Sequence, residues 1–470
     1  MGSLQANTMH SIPATGYKKG NGTALLVLPP QNPLTGEEQV HGFPTPSLIL
    51  AGLPLLKRTL LSLHRGGISR FIILYQGRPD SFMLDLDQDS RFKDRLTWSS
   101  LDAANLPNNI QKEGGHCLFV GLTMHFHWSL IQDLCRIPPG DAIRLVTVEP
   151  SVSSTGLTLP IRVEGESVLE LYPELRQVNA HAVPILSFPM TALDDEQPFF
   201  HTLLKRWIQE GRVKPFRAKP DHLCYPIDSP SVVKNIEREL YRTVTSPLDG
   251  VVDNLLNRPV SKLLTSFFLK TPITPNGITL LSFAIGALAA LLFARGGYLN
   301  GILGALLFQL SSTIDCCDGE VARLKFMESP LGKWLDITCD NVVHFMIFSG
   351  ITWSVTQSAT GNGLLGWGLL SLVGILLSFI MVTVSLEKEE PFQNQKNGTT
   401  TQTAHKIRWL ITKMANRDFS LLILIFALLD KLPWFLILAA LGSNLFWLIL
   451  LGLHLRIRWE THRARMGLQR

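Results

Sequence analysis

Short apolar runs alternate with amphipathic stretches in residues 23–245. Four runs have the length and apolar content of buried strands, and four stretches repeat apolar residues every three or four positions, as helices do. The predicted strands are 23–29, 70–76, 116–121 and 143–148, and the predicted helices are 55–64, 128–135, 199–209 and 231–241. This alternation predicts an α/β domain with a largely parallel sheet. The polar stretch 77–115 is expected to form an irregular excursion, and the polar residues 1–22 a disordered N-terminus.

The pattern changes at residue 251, beyond which apolar pairs recur one helical turn apart with basic side chains such as Lys262 and Lys270 between them. This spacing predicts an amphipathic helix over 246–270 that lies in the membrane interface, with a bend at Pro259. A helix docked on the α/β domain explains the same pattern equally well.

Long charge-free stretches follow, and they predict an all-α domain of six transmembrane helices over 271–458. The spans are placed at 271–294, 296–314, two within 341–386, 419–429 and 432–455. The fifth has a short apolar core, so Asp418, Asp430 and Lys431 must lie at the two interfaces, or the helix must thin the bilayer. Residues 459–470 are expected to form a basic cytoplasmic tail.

Basic residues are distributed unevenly between the loops of this domain. Three of them follow the second predicted span, six follow the fourth and five follow the sixth, whereas the opposite loops hold only Arg295 and Lys431. The positive-inside rule therefore places both chain termini and the loop after the second span in the cytoplasm. We expect an integral, multi-pass membrane protein whose N-terminal domain faces the cytoplasm.

Composition narrows the class of protein further. The chain has 470 residues, 46% of them hydrophobic, and its net charge of +5 lacks the strong basic excess of a nucleic-acid binder. Its six cysteines have no CxxC spacing, so neither a disulfide framework nor a zinc knuckle is predicted. The N-terminal 22 residues lack an apolar core, so no cleavable secretory signal is expected.

Four aspartates lie at the cytoplasmic boundary of the second and third predicted spans. Asp315 and Asp318 are three positions apart and Asp336 and Asp340 four apart, so on helices each pair projects from one face. The two faces converge if these helices are antiparallel neighbours joined by a turn near Ser329. Carboxylates held that close repel one another unless cations neutralise them, which predicts a site for divalent metal, most simply two Mg²⁺ or Mn²⁺ ions. Such a pair of ions suits a displacement at phosphorus.

The residues between these aspartates also suit a nucleotide. Gly319 and Ala322 would give it a wall without side chains, and Arg323 would provide a cation for a phosphate. The alternative is a packing network in which the acids merely pair with Arg323, Lys325 and Lys333. Burying four acids against three bases is costly, and ionisable residues in transmembrane helices usually have a function. A metal site is therefore the preferred interpretation.

The aspartates belong to a run that resembles the signature of the CDP-alcohol phosphotransferase (phosphatidyltransferase) family, Asp-x2-Asp-Gly-x2-Ala-Arg-x8-Gly-x3-Asp-x3-Asp. Every fixed position is met, from Asp315 to Asp340. From average composition, eight fixed residues coincide by chance on the order of 10⁻¹⁰ per start position. The resemblance extends upstream to the segments 258–261 and 274–276, and it covers roughly residues 250–455.

The resemblance implies a role for each motif residue. Asp315, Asp318 and Asp336 would chiefly hold the metals, and Asp340, also a candidate ligand, would act as general base on the acceptor hydroxyl. That hydroxyl would attack the β-phosphorus of a CDP-linked alcohol and expel CMP. The residues expected to bind the nucleotide are Asn276, Asp315, Gly319, Ala322 and Arg323. Because family members commonly form dimers, a homodimer is expected, and the other partners would be the donor, the acceptor and the lipid bilayer.

Four basic residues after the fourth span are candidates for binding a phosphorylated acceptor, since family members with such acceptors place bases on the cytoplasmic ends of later helices. They are Lys406, Arg408, Lys413 and Arg417. Positive-inside anchors for the fifth span explain these residues at least as well.

The α/β part of the chain carries a second resemblance. Residues 51–74 and 226–230 resemble two motifs of sugar-phosphate nucleotidyltransferases, which implies a Rossmann-like fold for 23–245. Some CDP-alcohol phosphotransferases carry such a domain at the N-terminus, including bifunctional enzymes that make CDP-inositol and then transfer it.

The residues that such a domain uses for catalysis are replaced in this chain. Prolines in 28–33 remove amide donors from the loop that would hold a triphosphate. Segment 44–47 lacks a basic residue, and 121–123 lacks the metal-binding aspartate. Asp228 remains, but a lone acid in a loop is more often a turn or helix cap, and the HxH pair at 125–127 has no third ligand nearby in sequence. We predict an inactive domain that serves binding, regulation or assembly.

Three functions stay open at this point. The main hypothesis is a membrane transferase of phospholipid biosynthesis that moves a substituted phosphate from a CDP-alcohol, such as CDP-diacylglycerol, to an acceptor alcohol. The second is a bifunctional cytidylyltransferase and CDP-inositol:inositol-phosphate transferase that makes a soluble phosphodiester. The third is an ion-coupled transporter, which is disfavoured because the acids cluster at the membrane boundary rather than at the bilayer midplane.

Overall fold

A computed structural model describes residues 22–28, 46–75, 86–100, 116–137, 142–149, 158–189, 200–244, 258–357, 363–389 and 419–465. The chain divides into two compact units, Met1–Thr243 and Val244–Arg470. The first unit is α/β and the second is helical, as the hydrophobic pattern predicts. The expected disordered segment up to residue 21 and the segment 29–45 lie outside the described residues.

Each of the four predicted strands and four predicted helices is present in the first unit. Its strands are β1 Gly22–Val27, β2 Ile49–Leu50, β3 Leu53–Pro54, β4 Ile68–Tyr75, β5 Leu96–Ser100, β6 His116–Gly121, β7 Met124–His125, β8 Ile143–Val148, β9 Leu159–Glu164, β10 Ser167–Leu171, β11 Ala180–Pro189, β12 Val213–Arg217 and β13 Tyr225–Pro226. Its helices are α1 Leu55–Arg65, α2 Trp128–Arg136, α3 Phe200–Gln209 and α4 Pro230–Thr243.

One half of the large sheet is parallel. Strands β6, β1, β4 and β5 lie side by side in that order, with Leu25 opposite both Ile72 and Phe119. Strand β5 corrects the prediction of an irregular excursion over 77–115, because Leu96–Ser100 pairs in parallel with β4 at the edge of the sheet. An edge strand is partly solvated and needs little apolar content, so hydropathy alone does not reveal it.

The other half of the sheet is mixed, which corrects the prediction of a largely parallel sheet. Strand β11 runs antiparallel to β6, β8 and β9. Strands β9 and β10 form an antiparallel hairpin just before it, so the chain enters β11 in the reversed direction. The strands β8, β9 and β11 and the helix α3 share one apolar core, which includes Leu186, Phe188 and Trp207.

The second unit consists of helices in the described residues. They are α5 Arg258–Leu269, α6 Pro275–Arg295, α7 Tyr298–Leu324, α8 Pro330–Gln357, α9 Leu365–Glu389, α10 Phe419–Leu428 and α11 Leu432–Arg465. Two segments, Pro275–Arg295 and Leu432–Arg456, are long and apolar enough to cross a membrane. Six crossings therefore stay a prediction, although α6 to α11 coincide with the six charge-free stretches.

Pro259 lies in the first turn of α5, which corrects the predicted bend at this residue. A proline in the first helical turn loses no intrahelical hydrogen bond, because the first amide groups of a helix have no partner there. Residues 246–257 of the predicted amphipathic helix lie outside the described part of the chain.

Helix α6 packs against both α7 and α8, and glycines set how closely they approach. A Cβ atom on Gly286 would lie 2.6 Å from Val343 of α8 and 3.1 Å from Ser311 of α7. A Cβ atom on Gly350 of α8 would lie 2.6 Å from the carbonyl oxygen of Ala290. Small residues at these points let the backbones of α6, α7 and α8 approach one another closely.

Candidate active site

Three carboxylates from two helices meet at one end of the helical unit. Asp315 and Asp318 lie on the last turns of α7, and Asp336 lies on the second turn of α8. One oxygen of each can be chosen so that all three lie within 4.8 Å of one another. The convergence predicted from the spacing is therefore observed for these three aspartates.

Hydroxyl caps define where the neighbouring helices begin. The amide of Gly277 donates a 3.2 Å hydrogen bond to Thr274 Oγ1 at the start of α6. The amide of Gly332 donates a 2.9 Å hydrogen bond to Ser329 Oγ at the start of α8. Since an N-cap hydroxyl satisfies an amide that has no helical partner, these residues place both helix ends beside the acidic group.

Two hydroxyls of α6 orient the carboxylates of α7. Thr279 Oγ1 donates a 2.5 Å hydrogen bond to Asp318 Oδ2, and Ser282 Oγ donates a 3.2 Å hydrogen bond to Asp315 Oδ1. Ser311 Oγ in turn donates to the carbonyl oxygen of Ser282 at 2.7 Å. Sequence reasoning missed Thr279 and Ser282; the available signal was a pair of hydroxyls three positions apart, one turn after Asn276, in an otherwise apolar helix.

The acidic group fits a divalent cation. Asp315 and Asp318 are only 5% and 6% exposed, and Asp336 is half-buried, so three negative charges lie close together with little water to screen them. Carboxylate oxygens are the ligands that Mg²⁺ and Mn²⁺ prefer. The donor set therefore matches the predicted cofactor, and the hydroxyls of α6 are the outer partners that hold metal ligands in place.

Asp340 stands apart from the other three aspartates. It is not a member of the group of close carboxylate oxygens found among the described residues. Its Oδ1 lies 3.5 Å from Nε2 of His344, one turn further along α8. The imidazole of His344 packs edge-on against Phe308 and Phe419, with ring centroids 5.9 Å and 4.9 Å away.

The predicted nucleotide residues line the same end of the unit. A Cβ atom on Gly332 would lie 3.0 Å from Asn276 Oδ1, and one on Gly319 would lie 3.3 Å from the guanidinium of Arg323. Arg323 Nε is buried and has no hydrogen-bond partner within the described residues. A buried donor without a partner is costly, so this guanidinium suits an oxyanion. Ala322 is half-buried on the same turn of α7.

The four basic residues considered for the acceptor lie outside the described residues. They are Lys406, Arg408, Lys413 and Arg417. Their role in acceptor binding stays a prediction.

In the α/β unit, the end of β6 carries a hydroxyl where a metal-binding aspartate was expected. Thr123 is buried, its carbonyl oxygen accepts a 2.8 Å hydrogen bond from the amide of Ile227, and its Oγ1 has no partner among the described residues. Asp228 accepts a hydrogen bond from Ser229 at 2.8 Å. The buried Arg58 donates to the carbonyl oxygens of residues 50 and 51, so it holds a turn of the backbone.

The HxH pair is built into the fold. Burial, with a further contribution from nearby Arg58, lowers the pKa of His125 well below its usual value. Burial likewise lowers the pKa of His127 to about 4, and its Nδ1 accepts a hydrogen bond from the amide of Ser129 at the start of α2. Both imidazoles are therefore neutral at neutral pH, one in the core and one as a helix cap.

The family described as CDP-alcohol phosphatidyltransferase matches residues 272–451. These residues therefore form a CDP-alcohol phosphotransferase domain. The protein is an enzyme of the class that transfers substituted phosphate groups, as the motif predicted.

Relatives that match more of the chain include two proteins named "Bifunctional IPC transferase and DIPP synthase". The one from Rubrobacter xylanophilus is 27% identical over 66% of this chain and 73% of its own, and the one from Thermococcus kodakarensis is 27% identical over 72% and 77%. The helical unit is less than half of the chain, so both matches continue into the N-terminal unit. A "Phosphatidylinositol phosphate synthase" of Corynebacterium glutamicum is 37% identical over 21% of this chain and 43% of its own.

The inositol-1-phosphate CTP transferase from T. maritima is similar in structure, with a TM-score of 0.37 and 14% sequence identity, over 47% of this chain and 96% of that chain.

Proposed function

We propose that the helical unit transfers a substituted phosphate from a CDP-alcohol to an inositol-phosphate acceptor and releases CMP. The observation that carries the proposal is the convergence of Asp315, Asp318 and Asp336, within a motif that is complete at every fixed position. The matched family supplies the reaction class.

The chain's own residues have distinct tasks in this reaction. Asp315, Asp318 and Asp336 would hold two divalent cations, which would supply positive charge to neutralise the diphosphate. Asn276 and Arg323 contact the nucleotide side of the donor, beside the bare backbone of Gly319. Asp340 accepts the proton of the acceptor hydroxyl as its oxygen bonds to the β-phosphorus. The bond between that phosphorus and CMP breaks, and CMP leaves with the electron pair.

Asp340 suits the base because it lies outside the close group of carboxylates. A metal ligand gives its lone pairs to the cation, whereas a base must keep one for a proton. The spacing of four residues puts Asp340 one turn along from Asp336 on the same face of α8.

The names of the relatives favour an inositol-phosphate acceptor and a polar donor. Matches that continue into the N-terminal unit carry the name "Bifunctional IPC transferase and DIPP synthase". We therefore infer a CDP-inositol type of donor and a soluble phosphodiester product, in place of the CDP-diacylglycerol first favoured by the sequence. CDP-diacylglycerol is the second candidate donor, because the relatives also include proteins named "Phosphatidylinositol phosphate synthase".

We also propose that α6 to α11 span the membrane with the active site on the cytoplasmic side. The basic residues after α7, after α9 and at the end of α11 favour this orientation. The α/β unit would then bind or position a ligand. It would not transfer a cytidylyl group from CTP, since its sequence lacks the phosphate-binding loop and the metal-binding aspartate of nucleotidyltransferases.

The test is an assay of the purified full chain with Mg²⁺, inositol phosphate and one of two donors, CDP-inositol or CDP-diacylglycerol. We expect CMP release only when donor and acceptor are both present, loss of release with EDTA, and a water-soluble phosphodiester from CDP-inositol. If product forms with CDP-diacylglycerol but not with CDP-inositol, and this product partitions into organic solvent, the donor is the lipid and not the polar CDP-alcohol. Absence of CMP with both donors would refute the proposal.

A further inference from the structure

Glu320 is a fifth carboxylate beside the metal group, at a position that the family motif leaves free. It follows Gly319 on α7 and is 0% exposed. Its Oε1 accepts hydrogen bonds from Arg258 NH1 at 2.5 Å and from Ser261 Oγ at 2.9 Å, and its Oε2 accepts one from Thr265 Oγ1 at 2.7 Å. Both oxygens are therefore occupied by α5, so Glu320 is not available as a metal ligand.

Helix α5 turns its polar side towards α7 and leaves part of its apolar side uncovered, although Phe268 and Leu269 at its C-terminal end are buried. Arg258, Ser261 and Thr265 are buried, whereas Leu263 and Phe267 on the opposite face are 73% and 62% exposed. The usual amphipathic helix of a globular domain has the reverse arrangement. The polar contacts to one carboxylate therefore contribute, together with the burial of Phe268 and Leu269, to where α5 lies on α7.

The last turns of α7 are held from two sides. On one side Thr279 of α6 donates to Asp318, and on the other side α5 binds Glu320, two residues further along. Lys325, just after the end of α7, donates a 3.1 Å hydrogen bond to the carbonyl oxygen of Thr271, just after α5. The segment that carries Asp315 and Asp318 is thus fixed between two helices.

We propose that Glu320 is a positioning residue for the transfer reaction: through Arg258, Ser261 and Thr265 it fixes α5 against α7 and so sets the geometry of Asp318 at the metal site. This inference rests on the proposed function of the acidic group. It gives α5 a role in catalysis that its amphipathic pattern does not indicate. A buried pair of this kind is weak as a source of stability but well suited to specifying one arrangement of two helices.

The test compares Mn²⁺ binding, measured by electron paramagnetic resonance on the full chain without substrate, with the kinetics of CMP release. Glu320→Ala should weaken Mn²⁺ binding by about 10–100-fold, the usual cost of losing an outer partner of a metal ligand, and should lower kcat with little change in donor KM. Glu320→Gln keeps the shape and one acceptor, so it should be impaired less. The matched control is Asp430→Asn, which neutralises an exposed carboxylate after α10, at the opposite end of the unit, and should leave both readouts unchanged.

The exchange variant Arg258→Glu/Glu320→Arg tests the pair directly. It should bind Mn²⁺ more tightly than either single variant, because it restores a buried pair of opposite charges between α5 and α7. A purely structural role would reduce the number of binding sites without changing the Kd of the folded fraction, and that result would overturn the proposal. So would wild-type Mn²⁺ affinity in Glu320→Ala. If the wild-type chain binds Mn²⁺ but releases no CMP, the proposed function fails. The positioning role is then still tested by comparing the Mn²⁺ affinity of the Glu320 variants with that of the wild type.

Discussion

The hydroxyl of Thr279 on α6 donates a 2.5 Å hydrogen bond to Oδ2 of Asp318 on α7, 39 residues away in sequence. This contact fixes one oxygen of a carboxylate that is expected to hold a metal. The orientation of the acidic group therefore depends on a helix that carries none of its carboxylates.

Replacing Thr279 with valine should weaken metal binding. Valine has nearly the shape of threonine but cannot donate, so Asp318 loses its partner and about 10–100-fold of Mn²⁺ affinity. Thr279→Ser keeps the donor and should stay close to wild type. Thr356→Val is the control, because its hydroxyl donates to the carbonyl oxygen of Trp353 in its own helix. Equal Mn²⁺ affinity in Thr279→Val and wild type would show that the contact does not orient the ligand.

Asp340→Asn should separate the base from the metal ligands. It removes the proton acceptor and keeps the shape, so turnover should fall by roughly 10²–10⁴-fold, the usual worth of a general base. Binding of the CDP-alcohol, measured by equilibrium dialysis in Mg²⁺, should survive. Asp315→Asn is the comparison, since it should lose donor binding as well. If both variants lose donor binding equally, Asp340 is an essential ligand.

Gly350→Ala should destabilise the helical unit. The added Cβ would lie 2.6 Å from the carbonyl oxygen of Ala290, a backbone atom that can move only if α6 and α8 separate. Overpacking of this kind typically costs about 1–3 kcal/mol. Thermal unfolding of the full chain in detergent should show a lower Tm. Gly452→Ala is the matched control, because no atom of the described residues lies within 4 Å of its added Cβ, and its Tm should not fall.

The full chain should release no pyrophosphate from CTP with inositol phosphate or another polyol phosphate. The α/β unit has prolines where amide donors would hold the triphosphate, and Thr123 where the metal aspartate would stand. A coupled pyrophosphate assay measures this directly. Pyrophosphate release that is abolished by Asp228→Ala but not by Asp315→Asn would establish a bifunctional enzyme.

Acidification should loosen the α/β unit around α2. The pKa of His127 is lowered to about 4 by burial, whereas an exposed histidine in the unfolded chain titrates near 6.5. The unfolded state therefore binds more protons between these values, so stability is present above about pH 6.5 and is lost as the pH falls towards 4. Burial shifts the pKa of His125 in the same direction.

Hydrogen exchange of the full chain at pH 7.5 and 5.0, corrected for intrinsic rates, measures this effect in the amides of β7 and α2. His127→Asn keeps an acceptor at the start of α2 but does not titrate, so its exchange should depend less on pH. Protection in the wild type that is the same at both pH values would contradict the assignment of neutral, buried imidazoles.

Local pattern was enough to predict the positions of most helices and of the central strands. The apolar runs and the 3.6-residue period are properties of neighbouring residues, and the motif spacing alone indicates that Asp315 and Asp318 share a helix face. The reaction class follows from the eight fixed residues of the motif between Asp315 and Asp340, because their types and spacing can also be read from neighbouring positions in the chain.

Contacts between distant segments were decided by the tertiary structure. Arg258 and Glu320 are 62 residues apart, and neither residue type nor spacing indicates that they pair. The same holds for Ser282 with Asp315, for the edge strand β5 and for the reversed strand β11, whose partners depend on how the chain turns between them. The sequence by itself determined which residues carry the chemistry, and only the tertiary structure decided which side chains orient them, because hydrophobic periodicity specifies the buried face of an element but not its neighbour.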